Sequence, residues 1–170
     1  VLFTSEVEKY IPPKKGSAHV WRVIKEIFAF EPAETGTDIG NAIRYMARVC
    51  RKKTVCFVIS DFLCESYRRQ FKIAGRKHEL TGIVLSDSGD FRLPDGGIVL
   101  ARDFETGELV CLDASDRKTR ESYAARKKEE YGQILESLRS SDVDTIEIAT
   151  DRDVAEALVR YFRVREKRMR

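Results

Sequence analysis

The sequence predicts an α/β domain built on a mostly parallel sheet with helices on both faces. Three observations carry this. Val55-Cys56-Phe57-Val58-Ile59 is a continuous apolar run, the form taken by a parallel strand buried on both faces. Strand-like and helix-like stretches alternate along most of the chain, as crossovers between parallel strands require. Two apolar runs, at 55–59 and 80–85, end in Ser60-Asp61 and Ser86-Asp87. In such sheets ligands bind outside the carboxyl ends of the strands.

In chain order, Val1–Thr4 and Val7–Ile11 read as strands around a tight Ser5-Glu6 turn. Pro12-Pro13 ends the second, because proline cannot donate to a ladder. Ser17 caps a helix in which Val20, Val23, Ile24, Ile27 and Phe28 recur at helical spacing, and Pro32 stops it. Beyond the polar loop Thr35-Gly36-Thr37-Asp38, a second helix carries Ile39, Ala42, Ile43, Met46 and Ala47 on one face. Arg51-Lys52-Lys53 closes it, with cations where the helix dipole favours them. Strand Val55–Ile59 comes next, then a charged helix from about Glu65 to Arg76, then strand Leu80–Leu85.

From there the rhythm changes. Leu93-Pro94-Asp95-Gly96-Gly97 is a loop, and Ile98–Arg102 with Leu109–Leu112 form an antiparallel hairpin around Glu105-Thr106-Gly107. Residues 91–113 thus read as a hairpin insertion within a single domain, 1–170. A long charged helix runs from about Asp116 to Arg139. Asp144–Ile148 is the last strand, and Asp151 to about Arg163 the last helix, with Val154, Leu158, Tyr161 and Phe162 inward.

The 170 residues suit one domain with a core of its own. At 42% hydrophobic and 35% charged, the balance is that of a water-soluble domain. No apolar run approaches the roughly 20 residues of a membrane span. Val1-Leu2-Phe3 starts the chain as if inside a strand, so a longer parent protein is expected. Glu6, Glu8 and Lys9 interrupt any leader-like stretch. A net charge of +3 is too mild to argue for nucleic acid. Cys50, Cys56, Cys64 and Cys111 form no C-x-x-C pair, and only His19 and His78 could complete a metal set, so zinc is not expected. Cys56, inside an apolar strand, reads as a buried free thiol. Reduced thiols without a leader point to the cytoplasm.

The candidate site gathers at the strand ends. Thr37 precedes a helix and Asp61 ends a strand; a hydroxyl and a carboxylate are hard oxygen ligands of the Mg²⁺ or Ca²⁺ type. Helix capping is the local alternative for Thr37, Asp38 and Asp61 alike. Thr35, Asp38, Phe62, Ser86 and Asp87 complete a candidate interaction surface on the same face.

Gly36-Thr37-Asp38-Ile39 and Ile59-Ser60-Asp61-Phe62 resemble the von Willebrand factor A fold. That resemblance implies a metal-ion-dependent adhesion site with an Asp-x-Ser-x-Ser segment, a Thr and an Asp; Thr37 matches the second part and Asp61 the third. The first part is absent from this chain. A resemblance covering nearly the whole chain is carried by Val1-Leu2-Phe3, Tyr10-Ile11-Pro12-Pro13-Lys14-Lys15-Gly16, Arg76-Lys77-His78-Glu79, Leu93-Pro94-Asp95-Gly96-Gly97 and Glu105-Thr106-Gly107-Glu108, together with the two stretches above. In that order and spacing they are similar to a bacterial family of unknown function, number 58, whose members are associated with MoxR-type AAA ATPases. The resemblance implies an adaptor or assembly role. It also implies a strand order 3-2-1-4-5-6 in which a central strand would lie between Val1–Thr4 and Val55–Ile59. This chain lacks that strand. The expectation is therefore an incomplete, Rossmann-like von Willebrand factor A domain, with Mg²⁺ in the complete domain and little or no metal held by this chain. The gap is expected to close by direct pairing of the flanking strands in a rearranged edge, or to be filled by a second copy in a homodimer through the exposed strand edges.

An enzyme needs a nucleophile, a base or a phosphate loop. No G-x-S-x-G, G-x-x-x-x-G-K-[ST] or G-x-G-x-x-G is present. His78, in a charged stretch, reads as a surface residue or one at a strand start; His19, in a helix's first turn, reads as structural. The enzyme alternative is a metal-dependent hydrolase using Asp61 and Asp87, with Asp90 nearby. The nucleic-acid alternative rests on Arg126-Lys127-Lys128 and on a tail holding Arg163, Arg165, Lys167, Arg168 and Arg170. Glu129 and Glu130 dilute the first, and a solvated helix face explains it better. The expected activity is protein binding without catalysis.

Overall fold

The computed structural model describes residues 1–64, 67–102 and 109–168. The chain opens with a small antiparallel hairpin, β1 (Leu2–Phe3) and β2 (Val7–Lys9). Helices α1 (Ser17–Phe28) and α2 (Ile39–Val49) follow. Then come β3 (Val55–Ser60), α3 (Arg68–Gly75) and β4 (Glu79–Ser86). A 3-10 turn at Ser88–Phe91 leads to a second hairpin, β5 (Ile98–Arg102) and β6 (Leu109–Asp113). The chain ends with α4 (Arg117–Ser140), β7 (Asp144–Ala149) and α5 (Val154–Arg168). Residues 105–107, expected to turn the second hairpin, lie outside the described residues, as do Glu65 and Arg170.

The central sheet has the order β3-β4-β7, parallel throughout. β4 lies in the middle, buried from Leu80 to Val84. Its alternation divides the core between two faces. Leu80 and Val84, with Val58 of β3, pack with Ile43 and Met46 of α2, Phe71 of α3 and Leu138 of α4. On the other face Ile83, Ile146 and Ile148 meet Leu158 and Tyr161 of α5. The Thr81 and Tyr161 hydroxyls share a hydrogen bond of 2.8 Å across that second face.

Several expectations are corrected. β3 is not buried on both faces: of its six residues only Val58 is buried, while Val55, Phe57 and Ile59 stay exposed. The reason is its place at the sheet's border, where among the described residues no strand pairs with its outer edge. β1 does not close that gap, because it pairs with β2 alone. Cys56 is accordingly half-buried, although burial still pushes its thiol above the ordinary range. Ser17 is the first helical residue of α1 and not its cap; Gly16 precedes it at φ 99, a left-handed value that suits glycine. No residue of α1 is buried, and Trp21 is 66% exposed. In α5, Val154 and Phe162 remain exposed, although Phe162 stacks edge-on against Phe57. α3 is shorter than expected, and the cations at 51–53 lie past the end of α2.

His78 also departs from expectation. It sits at the start of β4 but is buried, 2% exposed, and among the described residues neither ring nitrogen meets a hydrogen-bond partner. Removal from water, with the Lys77 charge second, holds its pKa below the ordinary histidine value. Above about pH 6.5 the ring is neutral in both folded and unfolded chain, so it adds no pH dependence. Below that, the unfolded chain takes the proton first, and stability falls as pH falls, by at most about 1.4 kcal/mol per pH unit. Glu8, Glu26 and Glu79, whose pKa values are lowered by hydrogen bonds and ion pairs, lose their contributions only in more acid solution. Urea denaturation between pH 7 and 5 is expected to show a loss of stability that is largely absent in His78→Leu. An equal slope in both proteins would contradict this account.

Candidate functional site

Ser60 to Leu63 make a tight turn at the carboxyl end of β3. The Phe62 N–H donates to Ser60 Oγ at 3.1 Å and the Leu63 N–H to Asp61 Oδ1 at 3.3 Å. Phe62 itself sits at φ 59, a left-handed conformation that disfavours a bulky side chain. Such backbone persists only where its surroundings over-determine it, and it clusters at functional sites. Here the determinant is packing. The Phe62 ring, 1% exposed, lies edge-on to Tyr67 at 5.4 Å and 6.3 Å from Phe71. The sequence places Phe62 on the interaction surface; the structure buries it, because turning its φ positive sends the ring under the sheet's end. Asp61 then stays exposed at the crest of the turn.

Beside that turn runs a groove of about 1060 Å³. Asp61, Leu63 and Cys64 contribute one wall, continued by Tyr67 and Arg68 at the start of α3. Leu85 and Ser86 of β4 and Asp90 and Phe91 of the 3-10 turn form its base. One face of α4 forms the far wall, through Tyr123, Lys127, Tyr131 and Ile134. Phe91 and Tyr131 meet edge to face at 5.6 Å. The Tyr131 hydroxyl donates to Glu147 Oε2 at 3.0 Å; burial and that carboxylate push its pKa up to about 12, so it is a fixed donor. Lys127 lies 6.0 Å from the Tyr123 ring centre. The α4 residues Tyr123, Lys127, Tyr131 and Ile134 recur at one-turn intervals, a periodicity hidden by the charged residues around them.

The structure brings Asp61, Phe62 and Ser86 to this groove. Thr35, Thr37, Asp38 and Asp87 do not line it. The loop that carries Thr35 and Thr37 hangs instead from the first hairpin. Glu8 accepts from the Thr4 hydroxyl at 2.5 Å and from the Ala33 and Glu34 N–H groups, and the Asp38 N–H donates to Thr4 O at 2.9 Å. Asp38 caps α2, accepting from the Asn41 N–H at 2.8 Å, with Arg44 3.7 Å away. Asp87 accepts from the Thr150 hydroxyl and the Gly89 N–H, which hold its carboxyl below the usual range. It thus ties the end of β4 to the end of β7. Glu8, Tyr67, Tyr123 and Tyr131 escape a reading of the sequence alone.

Among the described residues no three His, Cys, Asp or Glu side chains gather where they could hold a metal ion. Asp61 offers one carboxylate, turned back on its own loop, and Thr37 one hydroxyl from a separate loop. That falls short of the roughly six to eight oxygens of a Mg²⁺ or Ca²⁺ site. The residues present do not make up such a coordination set. The basic stretches are also engaged: Arg126 and Lys127 pair with Glu130 at 2.8 and 2.9 Å, and Arg165 with Glu79 and the Tyr161 hydroxyl. No described helix is long and apolar enough to cross a membrane.

The family described as "Protein of unknown function DUF58" matches residues 1–132, from the first hairpin through most of α4. The chain belongs to this family. The match takes in the turn at Asp61, the base of the groove and most of its far wall. Similar sequences are uncharacterized proteins of Mycobacterium tuberculosis and Mycobacterium bovis, 26% identical over 160 residues, 92% of this chain and 50% of theirs. The chain therefore spans about half the length of those relatives. An uncharacterized protein of Mycobacterium avium is also 26% identical over 160 residues, and there the match covers 94% of the relative. Among solved structures, the conserved hypothetical protein BatB of Bacteroides thetaiotaomicron is 14% identical, with a TM-score of 0.44 over 87% of this chain and 70% of that one.

Proposed function

We propose that this DUF58 chain is a non-enzymatic protein-binding module that engages its partner through the carboxyl-end face of the sheet. The observation that carries the reading is the groove beside Asp61. It is wide, lined by aromatic and charged side chains together, and built around a left-handed turn at Phe62. Aromatic residues and arginine are enriched at protein contact surfaces, with polar groups at the rim. The family resemblance implies a MoxR-type AAA ATPase as the partner, with this chain as adaptor or assembly factor. The four free cysteines fit residence in the cytoplasm. The open outer edge of β3 is part of the same proposal, as a place where a second copy can add a strand.

The test is co-purification of the parent protein with such an ATPase. Asp61→Ala and Thr37→Ala are expected to weaken capture while circular dichroism stays unchanged, and light scattering on the same sample reads self-association. Capture unaffected by both substitutions would place the contact elsewhere. Turnover of ATP or an ester that is lost with Asp61→Ala would replace the binding reading with the hydrolase one.

A further inference from the structure

β3 stands at the border of the sheet, its outer edge unpaired among the described residues. Its side chains alternate between two faces. Val58 joins the core with α2 and α3. Val55, Phe57 and Ile59 belong to the other face, where the Phe57 ring meets Tyr161 and Phe162 of α5 edge-on. α5 does not finish covering that face: Val55, Ile59 and Phe162 are 46%, 57% and 50% exposed. An open strand edge beside an apolar strip recruits another strand. The two ends of β3 also differ in charge. Arg51, Lys52 and Lys53 lead into it, and the carboxylate 2.8 Å from Lys53, Glu79, is shared with Arg165. Asp61 follows it, exposed and accepting from the Leu63 N–H of its own turn. Arg68 lines the same groove as Asp61, but its Nε donates to Ser137 Oγ at 2.6 Å.

We propose that two copies of this chain join along β3, antiparallel, with the two-fold axis at Phe57. This rests on the open edge named in the protein-binding reading and adds the orientation and register of its occupant. A two-fold axis between two sheet edges can run along the strands or through the sheet. Along the strands, it would set Lys53 beside Lys53 and Asp61 beside Asp61, and would turn the α5 face of one copy away from that of the other. Through the sheet, it reverses the strand and keeps both α5 faces on one side. Residues directly opposite then share a face. Val55 meets Ile59 of its partner, Phe57 meets its own copy, and the apolar strip runs unbroken between the two α5 helices. The same register carries Lys53 towards Asp61 of its partner at each end. Opposite charges so placed fix the register, and like charges reject the parallel arrangement.

Light scattering on the whole 170-residue chain across a dilution series reads the mass in solution. The chain is expected to be a dimer that dissociates on dilution. Ile59→Lys, on the exposed strip and away from the core, is expected to be monomeric throughout with unchanged circular dichroism. Asp61→Lys is expected to weaken the dimer roughly tenfold, and adding Lys53→Glu to restore it. Phe57→Cys is expected to form a disulfide with its own copy on air oxidation, located by mass spectrometry to separate it from any bridge through the exposed Cys111. A strict monomer overturns the proposal, as does a dimer that Ile59→Lys leaves intact or one in which position 57 forms no bridge. Capture of the ATPase by a strictly monomeric chain discards the dimer and leaves protein binding standing. The dimer as described, with no ATPase captured, supports the edge and discards only that partner.

Discussion

Phe71→Ala is expected to destabilise the chain by about 3–5 kcal/mol, read as a lower urea midpoint with an unchanged slope. Phe71 is fully buried, at the meeting of α3 with the sheet. Its ring packs edge-on to Tyr67 at 5.8 Å and tilted against Phe62 at 6.3 Å. Truncation removes the apolar burial and both aromatic contacts and leaves a cavity that three neighbouring elements cannot close. A domain of this size has only about 5–15 kcal/mol in total, so the variant stands near the edge of folding. A loss below about 1 kcal/mol would mean that the aromatic cluster is not the centre of the core.

Gly82→Val is the second large effect, expected to cost about 1–3 kcal/mol by overpacking. Strand propensity alone predicts the reverse, since valine favours a central strand and glycine weakens one. A Cβ at Gly82 would stand 3.3 Å from both Leu138 Cδ1 and Phe62 Cζ, and valine's two methyls come closer still. Displacing Phe62 also disturbs the left-handed turn that presents Asp61. Gly82→Val is therefore expected to weaken partner capture beyond what its stability loss explains. Denaturation combined with capture at matched folded fraction measures both.

The contrast at Gly82 shows where sequence patterns inform and where they stop. β4, β7 and the second hairpin follow from local apolar runs and turn residues. Asp116, where the long charged helix is expected to begin, is its cap, accepting from the Thr119 N–H at 3.1 Å. The double burial expected of β3 does not follow, because an apolar run records what a strand can bury and not which neighbours are in the chain to cover it. The same limit applies to α1, whose regular apolar stripe holds no buried residue. His78 looks like surface because its neighbours Arg76, Lys77 and Glu79 are charged; the turn from α3 into β4 carries it inward. As for the site, Asp61 and Ser86 are legible from the ends of two apolar strands. The α4 wall is not, since only the fold sets Tyr123 and Tyr131 across from them.

Trp21 is the chain's single tryptophan, and it stands on the exposed stripe of α1, away from the core. Its indole is largely in water while the sheet is intact. Intrinsic emission excited at the tryptophan band is therefore blind to most of the unfolding transition, and far-UV dichroism or tyrosine signals must follow it. The same arrangement makes the indole a background-free reporter of anything that comes to rest on α1, because a blue shift of its emission can arise nowhere else in the molecule.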